Sequence, residues 1–286
     1  MKVGVVGIGL IGGSFSLGIK KRRYNIEVVG IDKSTENLAR AKELGIIDGS
    51  EDLEQAARTC DFLVLAIPVN AISSLLPRLL DWAGDHTAVV DFGSTKAPIC
   101  EAVKDHPKRS HYISAHPIAG TEYSGPDAAF AELLEEKIMI LCEEERSNPD
   151  KLFAFKELCK NLAMKMTKMD PVAHDLHLSY VSHLSHVTSF ALSTTVLQKE
   201  QDEKSIFAMA GSGFASTVRL AKSNAAMWNP IFMHNKTNLS SAIGSYINQL
   251  KAFKQLLDEE NLEGLEAFMT RANEIGDIID NLTRKK

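Results

Sequence analysis

Apolar residues along this chain follow two rhythms, and the change from one to the other falls near residue 169. Up to that point short, continuous apolar runs alternate with amphipathic stretches. The runs Lys2–Val6, Glu27–Ile31, Phe62–Ala66, Ala88–Asp91, Tyr112–Ala115, Lys137–Leu141 and Met164–Lys168 have the length and composition of buried strands. Helical patterns lie between several of them, near Thr35–Leu44, Leu53–Ala57, Ala71–Trp82 and Lys96–Lys104. This alternation predicts an α/β domain, residues 1–169, on a mostly parallel, doubly wound sheet. The polar stretch from Glu143 to Asp150 reads as a turn, with Asp150 placed to cap the helix after it.

After Asp170-Pro171 the strand signal stops. The remainder predicts helices over Val172–Gln198, Ile231–Leu257 and Leu262–Thr283, with a glycine-rich break at Gly211-Ser212-Gly213. Long helices with apolar residues at three- and four-residue spacing need partner helices to cover them. Residues 170–286 therefore read as an all-helical domain. Its helices are too few to cover every apolar stripe, which predicts a homodimer formed through this domain.

Composition narrows the class. With 286 residues, 44% hydrophobic and 24% charged, the chain sits in the ordinary range for globular proteins. A net charge of −5 offers no footprint for nucleic acid or an anionic membrane. The basic cluster Lys20-Lys21-Arg22-Arg23 is best placed to meet the C-terminal end of a helix. No apolar stretch approaches the roughly 18 residues of a membrane span, and the chain enters a strand at once, without a signal peptide. Cys60, Cys100, Cys142 and Cys159 are scattered, with no C-x-x-C spacing. They read as reduced, buried thiols of a cytoplasmic protein, with neither a disulfide nor a metal site expected.

The first strand flows into Gly7-Ile8-Gly9-Leu10-Ile11-Gly12 and then into a helical pattern. In such a unit Gly7 permits the tight turn, Gly9 lets backbone approach a pyrophosphate, and Gly12 lets helix and strand pack closely. The second strand ends at Asp32, twenty residues after Gly12, where a carboxylate would accept hydrogen bonds from ribose hydroxyls. The flanks turn a weak glycine motif into a dinucleotide site of Rossmann type. The expected cofactor is NAD, since Asp32 would repel a 2′-phosphate. Gly7, Gly9, Leu10, Ile11, Gly12, Asp32, Pro68 and Ser94 are the expected cofactor-binding residues.

Other strands end in polar residues on the same rim, where open parallel sheets bind ligands. One ends in Asp91-Phe92-Gly93-Ser94-Thr95-Lys96, another in His116-Pro117-Ile118-Ala119-Gly120-Thr121-Glu122. Ser94, Lys96, His116 and Glu122 would converge on a polar pocket. Ser94 alone is most simply a helix N-cap. A histidine there is well suited to take a hydroxyl proton at neutral pH, a step that eases hydride departure from the same carbon. In the helical half, His183 and His186 share a helix face at i and i+3, with His174 and His177 earlier. A zinc site or a buried polar network are the other readings of these histidines. Arg219, after the glycine-rich break, offers a guanidinium fork for a carboxylate.

These motifs together resemble the prephenate/arogenate dehydrogenases of tyrosine biosynthesis. The resemblance rests on the glycine loop, Asp91-Phe-Gly-Ser94-Thr-Lys96, His116-Pro-Ile-Ala-Gly-Thr-Glu122, Ser182-His-Leu-Ser-His186 and Gly213-Phe…Arg219, and so spans nearly the whole chain. It implies that His116 accepts the ring-hydroxyl proton and that Ser94 bonds the same hydroxyl beside the nicotinamide. It further implies that Arg219 binds the ring carboxylate and His186 the substrate side chain, with His183 in support. Thr121 and Glu122 would shape or gate the pocket, and Trp228 would stand near the substrate. A dimer through the helical domain is also implied. Two positions depart from the pattern: Ser216 replaces an acid three residues before Arg219, and Tyr123 stands where a basic residue is usual. With no segment resembling chorismate mutase, a single-function enzyme is expected.

The reaction so implied is the NAD-dependent oxidative decarboxylation of prephenate to 4-hydroxyphenylpyruvate. Arogenate remains open as the substrate. A two-domain hydroxyacid dehydrogenase or imine reductase, and a non-catalytic NAD(H) sensor, are the other classes.

Overall fold

The computed structural model describes residues 1–22, 25–203 and 205–284. Arg23 of the predicted basic cluster lies outside the described residues. Its neighbours Lys20, Lys21 and Arg22 stand in the last turn of the first helix and pair with Asp48, Glu132 and Glu135.

In chain order the elements are β1 (Lys2–Val6), α1 (Leu10–Arg22), β2 (Glu27–Ile31), α2 (Thr35–Glu43), β3 (Gly49–Ser50), α3 (Leu53–Thr59), β4 (Phe62–Leu65), α4 (Val69–Trp82), β5 (Ala88–Asp91), α5 (Ala97–Ala102), β6 (Tyr112–Pro117), β7 (Ile138–Cys142), α6 (Pro149–Asn161) and β8 (Lys165–Lys168). Then come α7 (Pro171–Leu178), a π-helical turn (Ser179–His183), α8 (Leu184–Asp202), α9 (Ser212–Thr217), α10 (Ala225–His234), α11 (Lys236–Asp258) and α12 (Leu262–Arg284).

The eight strands form one sheet in the order β3-β2-β1-β4-β5-β6-β7-β8. Every neighbouring pair is parallel except β6 and β7, which run antiparallel. The order reverses between β1 and β4, so the crevice beyond their carboxyl ends is a topological switch point. The central strands are apolar on both faces because successive side chains point to opposite sides. Val3, Val5, Phe62, Val64, Ala88, Val90, Ile113 and Ala115 join one buried cluster with Phe15 and Phe155. Val6, Leu63, Leu65, Val89 and Tyr112 join the other, with α3, α4, α5 and the Trp228–Ile231 turn of α10. Tyr112, Ser114 and His116 therefore share the face that looks toward α5. The edge strand β8 is short and carries Lys165 and Lys168, a charge pattern that discourages pairing with another chain.

Polar caps set the helix starts. Ser34, Asp52, Asn148, Asp170 and Asn224 each accept hydrogen bonds from amides of the turn they begin. Asn148, with Pro149 after it, starts α6, so Asp150 lies inside the first turn and is not the cap expected of it. The single helix expected over Ile231–Leu257 is two: α10 begins earlier, at Ala225, and ends at Asn235 (φ −108°, ψ 27°). Strand β6 runs on to Pro117, so His116 sits within the strand and not beyond it. All four cysteines are buried and unpaired.

By compactness the chain divides into Met1–Lys236 and Thr237–Lys286, so α7–α10 stay with the sheet. The second unit is a hairpin of α11 and α12. Asn261 accepts from the Gly264 amide at 2.9 Å at its turn, and the Phe253 and Phe268 rings meet edge to face 5.4 Å apart. Along this hairpin Leu250, Leu257, Leu262, Met269, Ile275 and Ile278 are exposed, an apolar surface that a single chain leaves uncovered. Among the described residues no helix is long and apolar enough to cross a membrane.

Candidate active site

At the switch point, Gly7 turns the chain out of β1 with φ +91°, and a Cβ there would lie 2.5 Å from the Ala66 carbonyl oxygen. A Cβ on Gly12 would lie 2.1 Å from the Gly7 carbonyl oxygen, so α1 can start against β1 only with glycine at this position. Gly9 has open space where its Cβ would be. The first-turn amides of Leu10, Ile11 and Gly12 have no partner within the helix and face this space with the positive end of the helix dipole. Asp32, at the end of β2, accepts from the Ile8 amide at 3.0 Å and the Ser34 amide at 2.9 Å. These bonds fix its carboxylate beside the glycine turn. Pro68 precedes α4 in the short turn that leaves β4. An open cradle of backbone donors with a fixed carboxylate at its rim fits the diphosphate and ribose of a dinucleotide.

Beside this crevice, β5, β6, α5 and α7 are tied by a buried polar network. Lys96 and Asp91 are fully buried and form an ion pair. Lys96 Nζ also donates to the Ala115 carbonyl at 2.8 Å, and Tyr112 Oη donates to Asp91 Oδ2 at 2.5 Å. Lys96 is thus turned away from the pocket it was expected to line. Ser94 is half-buried in the same turn but is not the helix cap. The start of α5 is capped from outside by Asp175 of α7, which accepts from the Lys96 amide at 2.7 Å and the Ala97 amide at 2.9 Å. Asp175 Oδ1 also lies 2.7 Å from His174 Nδ1, and His174 Nε2 lies 2.9 Å from His116 Nδ1. Burial lowers the His116 pKa well below the ordinary histidine value, and the neighbouring His174, Lys96 and His183 push it the same way. Burial also lowers that of His174, opposed in part by its bond to Asp175.

The π-helical turn after α7 explains where the later histidines go. The Leu184 amide bonds the Ser179 carbonyl five residues back, and the extra residue rephases the helix that follows. His183 is buried, 3.1 Å from Asn235 Nδ2, which itself donates to the Asp175 carbonyl at 2.6 Å. Burial lowers the His183 pKa to about 4. His186 stacks on Trp228 with centroids 3.5 Å apart, and His183 meets the same indole edge-on at 6.0 Å. Trp228 Nε1 is buried and makes no hydrogen bond to the described protein atoms.

Arg219 is exposed, and its Nη1 lies 3.6 Å from Glu122 Oε2. Glu122 thereby supplies the carboxylate that Ser216, exposed in α9, does not. Arg219 is also close enough to help lower the His186 pKa. Thr121 is exposed beside Glu122, and its Oγ1 accepts from the Tyr123 amide at 3.3 Å. The side chains form an incomplete ring. Contacts run from His116 through His174, Asp175, Asn235, His183 and Trp228 to His186, while Arg219, paired with Glu122 on the loop that leaves His116, acts on His186 through its charge.

Three members of this ring were not among the expected site residues. His174 and Asp175 had a legible signal: Asp170 caps and Pro171 starts α7, so residues 171, 174, 175 and 178 form its buried stripe. Two polar residues on a buried stripe mark a network. Asn235 had no such signal, because its place depends on the break between α10 and α11.

Two family descriptions match the chain: prephenate dehydrogenase, nucleotide-binding domain, over residues 15–168, and prephenate dehydrogenase, dimerization domain, over residues 170–271. The chain is 29% identical to a prephenate dehydrogenase of Bacillus subtilis, over 96% of its own length and 74% of that protein's. Its fold is similar to that of the Aquifex aeolicus prephenate dehydrogenase solved with hydroxyphenyl propionate and NAD+, with a TM-score of 0.89, 29% identity and 98% of each chain covered. Synechocystis arogenate dehydrogenase is similar with a TM-score of 0.77 and 25% identity, over 98% of this chain and 100% of that one. With both halves matched and the ring of polar side chains set beside a dinucleotide crevice, the chain belongs to the prephenate dehydrogenase family.

Proposed function

We propose that this protein is an NAD-dependent prephenate dehydrogenase, which oxidises and decarboxylates prephenate to 4-hydroxyphenylpyruvate in tyrosine biosynthesis. The observation that carries this reading is the position of His116, a buried imidazole held neutral in β6, on the strand whose following loop pairs Glu122 with the Arg219 guanidinium. NAD supplies the hydride acceptor. His116 takes the proton of the ring hydroxyl, and Ser94, in the adjoining turn, steers that hydroxyl beside the nicotinamide. Carbon dioxide leaves as the ring becomes aromatic, so the protein mainly has to orient the substrate and remove one proton. His186, stacked on Trp228, and the Trp228 N–H face the substrate side chain, with His183 and Thr121 shaping the wall. Glu122 orients Arg219 toward the ring carboxylate.

Prephenate is favoured over arogenate because the groups assigned to the substrate side chain, His186, His183 and Trp228, include no carboxylate to receive an ammonium group. Prephenate-dependent formation of NADH tests the assignment. Replacing Arg219 with Gln is expected to raise KM for prephenate about tenfold or more with a smaller change in kcat, since a charge-assisted hydrogen bond is lost. An unchanged KM would remove Arg219 from the carboxylate site.

Cofactor preference follows from the fixed Asp32 carboxylate, which a 2′-phosphate would approach with like charge. The expected ratio of kcat/KM favours NAD over NADP by roughly tenfold or more, and Asp32→Asn narrows it. A preference for NADP in the unmodified protein would contradict this. We further assign residues 1–169 to cofactor binding and residues 170–286 to substrate binding and homodimerisation, in a cytoplasmic enzyme. The exposed apolar side chains of the α11–α12 hairpin support the dimer.

A further inference from the structure

The donor and acceptor limits of three buried side chains settle where each proton sits. Asp175 already accepts two backbone amides at the start of α5, so its carboxylate faces His174 as an acceptor. His174 must therefore present Nδ1–H to Asp175 Oδ1, which leaves the Nε2 of neutral His174 without a proton. That nitrogen can only accept, so the 2.9 Å contact is His116 Nδ1–H donating to His174 Nε2. His116 in turn holds its lone pair on Nε2, the nitrogen left for a substrate hydroxyl.

We propose that His116, His174 and Asp175 form a proton relay in which the charge created by substrate oxidation comes to rest on His174. The inference builds on the assignment of His116 as the base. As the substrate O–H bond breaks, its proton bonds to His116 Nε2, and hydride passes from the same carbon to NAD+. The Nδ1–H bond of His116 breaks and the proton bonds to His174 Nε2, while His174 keeps its Nδ1–H on Asp175. His116 ends neutral, protonated on Nε2, and His174 ends as an imidazolium against the carboxylate of Asp175.

The surrounding charges favour this direction. The pair is faced by Lys96 and Asp91 from the β5–α5 turn, by Asp175 on α7 and by His183 from the π-helical turn. Lys96 and Asp91 are matched to each other, and His183 is neutral at physiological pH. Asp175 is the anion in direct contact with the pair, and it touches His174, not His116. A cation on His116 would stay buried without a carboxylate, whereas on His174 it gains one at 2.7 Å. His174 and Asp175 act through His116 and are positioning residues, not catalytic ones.

The test is a proton inventory of single-turnover NADH formation from prephenate and NAD+ in mixtures of H2O and D2O. The unmodified enzyme is expected to give a curved inventory, from two protons in flight. His174→Gln keeps an acceptor for His116 but cannot take up the proton. It is expected to give a linear inventory, with kcat lowered roughly tenfold or more and KM for prephenate little changed. Asp175→Asn keeps one acceptor oxygen, for the Lys96 amide and His174, gives up the bond from the Ala97 amide and removes the charge. It is expected to move the acid limb of the kcat profile to lower pH, by about one unit, because the imidazolium loses its counter-ion. A linear inventory in the unmodified enzyme would overturn the relay without requiring any variant to fold, and so would an unmoved acid limb in Asp175→Asn. Retained turnover in His116→Asn would instead overturn the assignment of the base itself.

Discussion

Replacing His116 with Asn lowers the turnover number by roughly 100- to 10,000-fold while NAD and prephenate still bind, the loss expected when a positioned base is removed. Asn is smaller and polar, and it can still accept a hydrogen bond near the hydroxyl, so substrate affinity changes far less than kcat. The effect is large because the substrate hydroxyl meets no other base directly: His174 lies behind His116 and is reached only through it. Lys96 is committed to Asp91 and Ala115, and His183 is buried against Asn235 and Trp228. The low pKa of His116 sets the sign of the pH dependence. The imidazole is already the free base at neutral pH, so activity declines only as the pH falls below the ordinary histidine range. Steady-state kinetics with titration calorimetry of prephenate binding separates the two effects. A variant with near-normal kcat would remove His116 from the role of base.

Asp91→Asn destabilises the fold by about 3–5 kcal/mol, because it strips the counter-charge from a fully buried ammonium. Lys96 would keep the Ala115 carbonyl and at most a neutral amide oxygen, which do not replace the water and the anion it gave up. For a chain of this size the thermal midpoint is expected to fall by about 5–8 °C. The double variant Asp91→Asn, Lys96→Met recovers part of the loss, since a buried pair replaced by less polar groups is often close to neutral. The consequence reaches the site: Lys96 Nζ holds the carbonyl just before His116, and its backbone amide is held by Asp175. An unchanged midpoint in Asp91→Asn, measured by thermal unfolding, would contradict this account of the network.

How much of this was legible depends on the range of the interaction. Gly7, Gly9, Gly12 and Asp32 could be read because each answers a local need, a positive φ, a close approach or a strand-end carboxylate. The strands could be read because central parallel strands are apolar on both faces, whereas the two-residue β3 is too short to leave a pattern. Helix ends were harder. The break at Asn235 leaves apolar spacing intact on both sides, so the periodicity ran straight through it. The π-helical turn is likewise invisible to a 3.6-residue period, yet it decides that His183 is buried while His186 stacks on Trp228. The pairing of Glu122 with Arg219 joins residues 97 positions apart and is purely tertiary. It also gives a physical reason why Ser216 can stand where an acid was expected.

The most direct test follows absorbance at the NADH band with purified protein, NAD+, and prephenate or arogenate supplied separately. If the assignment holds, NADH forms with prephenate, matched mole for mole by carbon dioxide, and kcat/KM with arogenate is much lower. Binding of NAD+ without NADH formation from either compound would contradict it.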